Sequence, residues 1–320
     1  MVLDPEVKQT IKHLVFRSQL MHETTPHDLL SQVKIKGALL YGPPGTGKTH
    51  LGRALAKDSG ATMLAIDCAA MHSQWVGETE KYIRAAFSLA AKLSPCILFI
   101  DEVDSLFYHR RFNDKPWERS AITQFLTEMD GLEQRAGAPF VMAATNRPMD
   151  LDDAFLRRLP QKIPLGLPDR QSRTKILRLF LGDEDLDPLV NVDAIATLTE
   201  GYTGSDLRNL CAEAALLWTM EQTQAIPSTK SNKGGGDGEE PSVADPQGPV
   251  KLRLTKPHFA KALAKIRPTV SRAALGDLNK FTRRFTPVAP KGNPATLAAL
   301  KGKPNPPAAP KGQPIHPSCL

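Results

Sequence analysis

Gly42-Pro43-Pro44-Gly45-Thr46-Gly47-Lys48-Thr49 follows the apolar run Ala38–Tyr41 and opens an amphipathic stretch over about 48–58. The octapeptide fits G-x-x-x-x-G-K-[ST], a loop that wraps a phosphate chain. Glycines let backbone N–H groups curl around phosphate oxygens, and the start of the next helix adds partial positive charge. Lys48 is expected to reach the β- and γ-phosphates and Thr49 to hold Mg2+ through its hydroxyl, with His50 closing the nucleotide-binding stretch. A plain Gly-Pro turn between strand and helix does not call for Gly-Lys-Thr. ATP and Mg2+ are therefore the expected cofactors.

Outward from this loop, apolar runs alternate with helical patterns. The runs are Ala38–Tyr41, Met63–Ile66, Cys96–Ile100 and Phe140–Ala144, with a weaker one near Ile163, and helical periodicity covers about 78–93 and 118–129. Strands separated by helices of that length predict a parallel sheet with right-handed crossovers and helices on both faces, an α/β domain over 1–166. An earlier helix is expected from Asp4, with Val7, Ile11, Leu14 and Val15 on one face. After Pro168 the pattern turns to helices alone, at a stretch capped by Asp169 and at about 192–199, 204–224, 256–265 and 272–285. They predict a small all-helical domain over 167–285, interrupted by a Gly-rich polar insert at 228–249, which is expected to be disordered.

Composition narrows the function. Of 320 residues, 41% are apolar and 23% charged, as in a folded soluble chain. Nine of the 27 prolines fall between Pro287 and Pro317, and the seven basic residues after Asp277 account for the whole net charge of +7. The body is neutral and a basic, Pro-rich tail over 286–320 is expected to be disordered, so the charge does not indicate a nucleic-acid face. No apolar run approaches the ~18 residues of a membrane span. The Asp4, Glu6 and Lys8 charges are unlike a signal peptide. The chain is expected to be soluble and cytoplasmic. Cys68, Cys96, Cys211 and Cys319 are too scattered for a metal or disulfide frame and read as buried or free thiols.

Leu98-Phe99-Ile100-Asp101-Glu102 ends another buried strand in acid, which is costly unless the acid binds something. Asp101 suits a water on Mg2+, and Glu102 suits polarising the water that attacks a γ-phosphate. An acidic cap on the next helix accounts for the pair as well when taken alone. Asn146, in Thr145-Asn146-Arg147-Pro148, fits a water- or phosphate-binding amide and also ordinary turn chemistry. Arg157-Arg158 fits a solvated pair at a helix end and also an arginine finger aimed at a neighbouring subunit.

Taken together, G-P-P-G-T-G-K-T, L-F-I-D-E-V-D-S-L, E-M-D-G-L, A-T-N-R-P, L-D-D-A-F-L-R-R-L, L-P-D-R and G-Y-T-G-S-D-L occur in the order of the AAA ATPases. The chain resembles that family over about 4–285, in the branch of katanin, spastin, fidgetin, the ESCRT-disassembling ATPase and the outer-mitochondrial-membrane protein extractor. L-R-R-L-P and the P-T-V-S end point to the extractor. The resemblance implies Asn146 as sensor 1, Arg157 and Arg158 as arginine fingers, and Gly204 where the lid closes over the base. It implies Trp75 and Val76 as the pore-loop pair that grips a polypeptide, though Trp75 fits a core position too, and residues 109–119 as a second, basic pore loop. It also implies a homo-hexamer threading a protein substrate, with a place at the outer mitochondrial membrane through sequence absent here.

Three features depart from the family pattern. Gln74 replaces a usual Lys. No D-I-G-G-L-like segment precedes the phosphate loop, which implies an incomplete adenine pocket or a chain truncated at its start. The insert does not read as strands, unlike the ESCRT-disassembling member. Microtubule severing and a non-hydrolysing scaffold or truncated fragment are the alternatives to extraction. A helicase or clamp loader is disfavoured by the neutral body, so no nucleic acid is expected.

Overall fold

Parallel strands must be covered on both faces, and three of the apolar runs are long and pure enough to allow it. The structure is a computed structural model that describes residues 9, 37–68, 78–108, 116–132, 137–182, 185–225 and 253–285. Strands β1 (Gly37–Tyr41), β2 (Thr62–Asp67), β3 (Cys96–Asp101), β4 (Phe140–Thr145) and β5 (Gln161–Pro164) form one parallel sheet in the order β2-β3-β4-β1-β5. Strands β1 and β4 are buried throughout, whereas β5, the weakest run in the sequence, lies at an edge.

Helices α1 (Lys48–Ser59), α2 (Thr79–Lys92) and α3 (Pro116–Gly131) return the chain between strands, close to the expected spans. Leu51, Leu55 and Ala56 of α1 pack on Leu40, Phe99 and Met142 from one face of the sheet. Gly52 makes this approach possible, because a Cβ there would sit 2.6 Å from the Phe99 ring. On the other face an aromatic cluster fills the space under α2 and α3. Phe107 stacks on Phe155 at 4.4 Å, and Phe125 lies 4.6 Å from Phe107 and 5.4 Å from Phe87. The short helix α4 (Asp153–Arg158) supplies Phe155 and is capped by the Asp152 carboxylate, which accepts from the Ala154 N–H.

The lid helices are α5 (Arg170–Leu181), α6 (Val192–Leu198), α7 (Gly204–Ala225), α8 (Lys256–Lys265) and α9 (Arg272–Phe285). Asp169 caps α5 as its position before the apolar stripe implied, accepting from the Ser172 N–H at 2.8 Å. Leu177, Leu207, Leu210 and Phe259 form the lid core. The structure adds one element to the expected helices: Asp185–Leu186 (β6) and Arg253–Leu254 (β7) pair in parallel. Two-residue strands carry too little alternation to be visible in sequence. At the α7–α8 contact the Thr255 N–H donates to His258 Nδ1 at 3.1 Å, so Nε2 carries the proton it donates to Glu221 at 2.9 Å.

Sheet and lid belong to one compact unit through Thr282. Within it, the Tyr41 hydroxyl donates to Thr282 Oγ1 at 3.1 Å, and its ring meets Phe281 edge-on at 5.1 Å. Beyond that unit only residues 283–285 are described, where the Arg284 guanidinium lies 5.2 Å over the Phe285 ring. Cys68, Cys96 and Cys211 are free and buried. Among the described residues no helix is long and apolar enough to cross a membrane. Of the expected helix near Asp4 only residue 9 is described, and it is helical; of the expected 109–119 loop only 116–119 are described, and they form the first turn of α3 rather than loop. The Trp75–Val76 segment, the 228–249 insert and the 286–320 tail lie outside the described residues.

Candidate nucleotide site

Open parallel sheets place ligands at the carboxyl ends of their strands. Here β1 ends in the phosphate loop, β3 in Asp101 and the intervening β4 in Thr145 and Asn146. The strand order therefore gathers motifs that are fifty to a hundred residues apart in sequence.

The phosphate loop is curled on itself. Thr46 Oγ1 donates to the Pro43 carbonyl at 2.9 Å, and Lys48 Nζ donates to the carbonyls of Gly42 and Pro43, both at 2.9 Å. Lys48 is 7% exposed, and burial pulls its ammonium down to about 8, against the opposing charges of Asp101 and Asp104. Pro43 is buried, Pro44 is exposed at the loop's outer bend, and His50 is exposed on the first turn of α1. Gly45 has φ +77°, and a Cβ there would lie 2.8 Å from Thr203 Oγ1.

The lid meets this loop at the start of α7. The Ser205 N–H donates to the Gly45 carbonyl at 3.2 Å, and a Cβ on Gly204 would come within 3.4 Å of the same oxygen. Thr203 and Asp206 close α7 reciprocally. The Thr203 N–H donates to Asp206 Oδ2 at 2.9 Å, and the Asp206 N–H to Thr203 Oγ1 at 3.1 Å. Asp206 Oδ2 also accepts from the Thr269 hydroxyl at 3.2 Å, tying the segment before α9 to this corner.

Thr49 and Asp101 are joined directly: the Thr49 hydroxyl donates to Asp101 Oδ2 at 2.6 Å. Asp101 Oδ1 accepts the Glu102 N–H at 3.0 Å. Glu102 is the non-glycine residue with positive φ, 50°, among the described residues. Its exposed side chain is partly shielded from water. That shielding first, then the charges of Asp67, Asp101 and Asp104, raise its carboxyl above the ordinary glutamate range. Thr49, Asp67, Asp101 and Glu102 line a cavity of about 230 Å³ with Phe99. Among the described residues the buried Asn146 amide oxygen has no hydrogen-bond partner, an acceptor left open beside these groups' strands. Hydroxyl and carboxylate oxygens are the hard donors that Mg2+ takes, so Thr49 and Asp101 fit that ion.

The arginines part company. Arg158 forks onto Asp130, with Nε donating to Oδ1 at 3.2 Å and Nη2 to Oδ2 at 2.9 Å, and these bonds raise its already high pKa. Arg157 is exposed, and its Nε donates to the Asp153 carbonyl at 3.3 Å. Within this chain, then, Arg158 pairs with Asp130 while Arg157 meets the backbone of its own helix.

Several participants escaped the sequence reading, among them Asp104, Thr145, Ser205 and Asp130. Asp104 and Thr145 had a signal in the second acid of D-E-V-D-S and the Thr of A-T-N-R-P. Ser205 and Asp130 had only their places in G-Y-T-G-S-D-L and E-M-D-G-L, because their partners lie far off in sequence.

Comparison with known proteins gives the same order of parts. Residues 38–167 match the ATPase family associated with various cellular activities (AAA), 189–231 the AAA+ lid domain and 244–285 the Vps4 C terminal oligomerisation domain. The chain is 44% identical over 182 residues to the outer mitochondrial transmembrane helix translocase of Danio rerio, covering 57% of this chain and 48% of that protein. It is 41% identical over 255 residues to spastin of Anopheles gambiae, covering 78% of this chain and 29% of that protein. It thus spans under half the length of both relatives. A solved structure, the FIGL-1 AAA domain in complex with ADP, superposes with a TM-score of 0.70 at 31% identity and 89% coverage of each chain.

Proposed function

The chain belongs to the AAA ATPase family, and from that premise we propose that it is an ATP-hydrolysing motor that assembles into a ring and remodels protein substrates. The observation that carries this reading is the convergence, at the carboxyl ends of β1, β3 and β4, of the phosphate loop, the Thr49–Asp101 pair, Glu102, the open acceptor of Asn146 and the start of α7. Binding of a nucleotide is supported by the family and by the ADP-bound relative.

In the proposed mechanism the loop amides and the Lys48 ammonium bind the phosphates, and the Ser205–Gly45 contact closes the lid on the loop. Thr49 and Asp101, the latter through water, would hold Mg2+, which when bound neutralises phosphate charge. Glu102 takes the proton of the attacking water, and Asn146 holds that water or the γ-phosphate through its amide. Arg157 and Arg158, at the end of α4, are the side chains that would reach a neighbour's γ-phosphate; within its own chain Arg158 also pairs with Asp130. Residues 1–166 form the nucleotide-binding part, 167–285 the lid, and Trp75 and Val76 grip the polypeptide in a central pore.

Extraction of proteins from the outer mitochondrial membrane is the preferred role, supported by the translocase of Danio rerio. Microtubule severing is the second reading. What favours it is that similarity to spastin runs over 78% of the chain rather than 57%. A homo-hexamer is the proposed assembly, in line with the match to an oligomerisation domain.

The test is ATPase rate against protein concentration, with particle size in ATP, for wild type, Glu102→Gln and Trp75→Ala. A rate per subunit that climbs with assembly, a stable ATP-loaded ring in Glu102→Gln and substrate-specific loss in Trp75→Ala support the motor. Turnover independent of concentration would sink the ring mechanism. Tubulin-stimulated turnover would replace extraction by severing.

A further inference from the structure

We propose that Thr145 is a positioning residue for ATP hydrolysis, its hydroxyl clamping the Asn146 loop to the acidic turn that begins at Glu102. The proposal rests on the roles given above to Asn146 and Glu102.

Thr145 is the last residue of β4, 1% exposed, and aligned with Tyr41 on β1. Its hydroxyl is used in both senses. The proton goes to Asp104 Oδ1 at 2.6 Å, the length of a charge-assisted bond, and the oxygen accepts the Arg147 N–H at 2.9 Å. The second bond brackets Asn146 from both sides, fixing the peptide that carries the amide. The first reaches Asp104, in the 3-10 turn Val103–Ser105 that directly follows Glu102.

That turn is held just as closely. The Glu102 carbonyl accepts from both the N–H of Ser105 at 2.9 Å and its hydroxyl at 2.8 Å, and the Glu102 N–H is held by Asp101. Together these bonds keep Glu102 at a φ of 50°, a region that side chains with a Cβ disfavour. The Thr145–Asp104 bond links the two pieces across strands β3 and β4. Water-attack chemistry needs the carboxylate and the amide in one fixed relation, and misplacement by about 1 Å costs on the order of a hundredfold in rate. A buried hydroxyl fits this task because in a site of low dielectric its hydrogen bonds are stronger than in water.

Substitution separates positioning from binding. Thr145→Val keeps the shape of the side chain, removes both bonds and leaves the phosphate loop untouched. Steady-state ATP hydrolysis and binding of a fluorescent ADP analogue are measured on the full chain at a concentration that saturates assembly. Thr145→Val is expected to lose at least about tenfold in kcat, with KM and ADP affinity within about twofold. Thr145→Ser, which keeps the hydroxyl, recovers most of the rate. The double variant Thr145→Val/Asn146→Ala is no slower than Asn146→Ala alone.

Wild-type kcat in Thr145→Val beside a slow Asn146→Ala overturns the proposal and leaves the role of Asn146 standing. Losses that multiply in the double variant also overturn it. A wild-type rate in Asn146→Ala removes the role of Asn146 and this proposal with it. Should Thr145→Val melt at low temperature, Asp104→Ala removes the same link from the half-buried turn. It is expected to show the same kcat loss at unchanged KM, and a wild-type kcat there is equally decisive against the proposal.

Discussion

The backbone N–H of Ser205 donates to the carbonyl oxygen of Gly45 at 3.2 Å, so the first turn of α7 rests on the phosphate loop. Sheet and lid thus share a hydrogen bond at the point where a nucleotide's phosphates would be wrapped. Gly45→Ala should break this seam twice over. Its φ of +77° costs a residue with a Cβ about 1–2 kcal/mol, and the added methyl runs into Thr203 Oγ1 at 2.8 Å. Nucleotide affinity, measured with a fluorescent ADP analogue, is expected to fall about tenfold or more. Unchanged affinity would show that the lid contact does not support binding.

Lys48 gives a pH dependence with a definite sign. Burial holds its ammonium at about 8, below the ordinary lysine value, so the charge is present below that pH and lost above it. Affinity for an anionic nucleotide should therefore fall as pH rises through about 8, and binding above that pH should take up protons. Calorimetry in buffers of different ionisation enthalpy reads the uptake. Stability has the same cause with the opposite slope: the buried charge penalises the fold below its lowered pKa, and the penalty eases as pH rises above it.

Arg157 and Glu102 should complement each other between subunits. Arg157→Ala and Glu102→Gln are each expected to hydrolyse ATP at least about a hundredfold more slowly than wild type. Mixed together, an Arg157→Ala subunit keeps its own Glu102 and borrows Arg157 from a Glu102→Gln neighbour, so turnover should rise well above either variant alone. No gain on mixing would place Arg157 outside the neighbour's site.

The ion pair of Arg158 with Asp130 predicts a different result for that position. Asp130→Asn should destabilise the chain by only about 0.2–1 kcal/mol, because the pair is partly exposed, with the two side chains 30% and 54% accessible. Thermal melting checks the stability. A large loss of ATPase activity without loss of stability would give the pair a role beyond bracing α4.

Cys68 and Cys211 should be inert in the folded chain. Burial first, and for Cys68 then the charges of nearby acids, push both thiols up to about 12. At pH 8 iodoacetamide should leave both unlabelled until denaturant is added, as read by mass spectrometry of their peptides. Rapid native labelling of Cys68 would mean that the contact between β2 and the aromatic cluster opens readily.

Much of the site was legible because its chemistry is local. Gly42 to Thr49 specify their own curl, and Asp101-Glu102 mark the end of a strand by following the apolar run Cys96–Ile100. The helix spans near 48–58 and 256–265 were visible from the sequence pattern. The short pair β6–β7 was not, since two residues carry no period. Nor was the pairing of Arg158 with Asp130, 28 residues before it.

The sequence by itself determined the parallel α/β layer, the phosphate loop, the acidic strand end and the helical lid, because each is written in contiguous residues as pattern or motif. Only the tertiary structure decided which side chains meet across that frame. Thr145 finds Asp104 41 residues away, Tyr41 finds Thr282 241 residues away, and the buried Asn146 oxygen has no partner among the described residues. Such pairings need strands set side by side and a lid seated on its loop. A directional bond shorter than about 3.2 Å forms only after packing has fixed both ends.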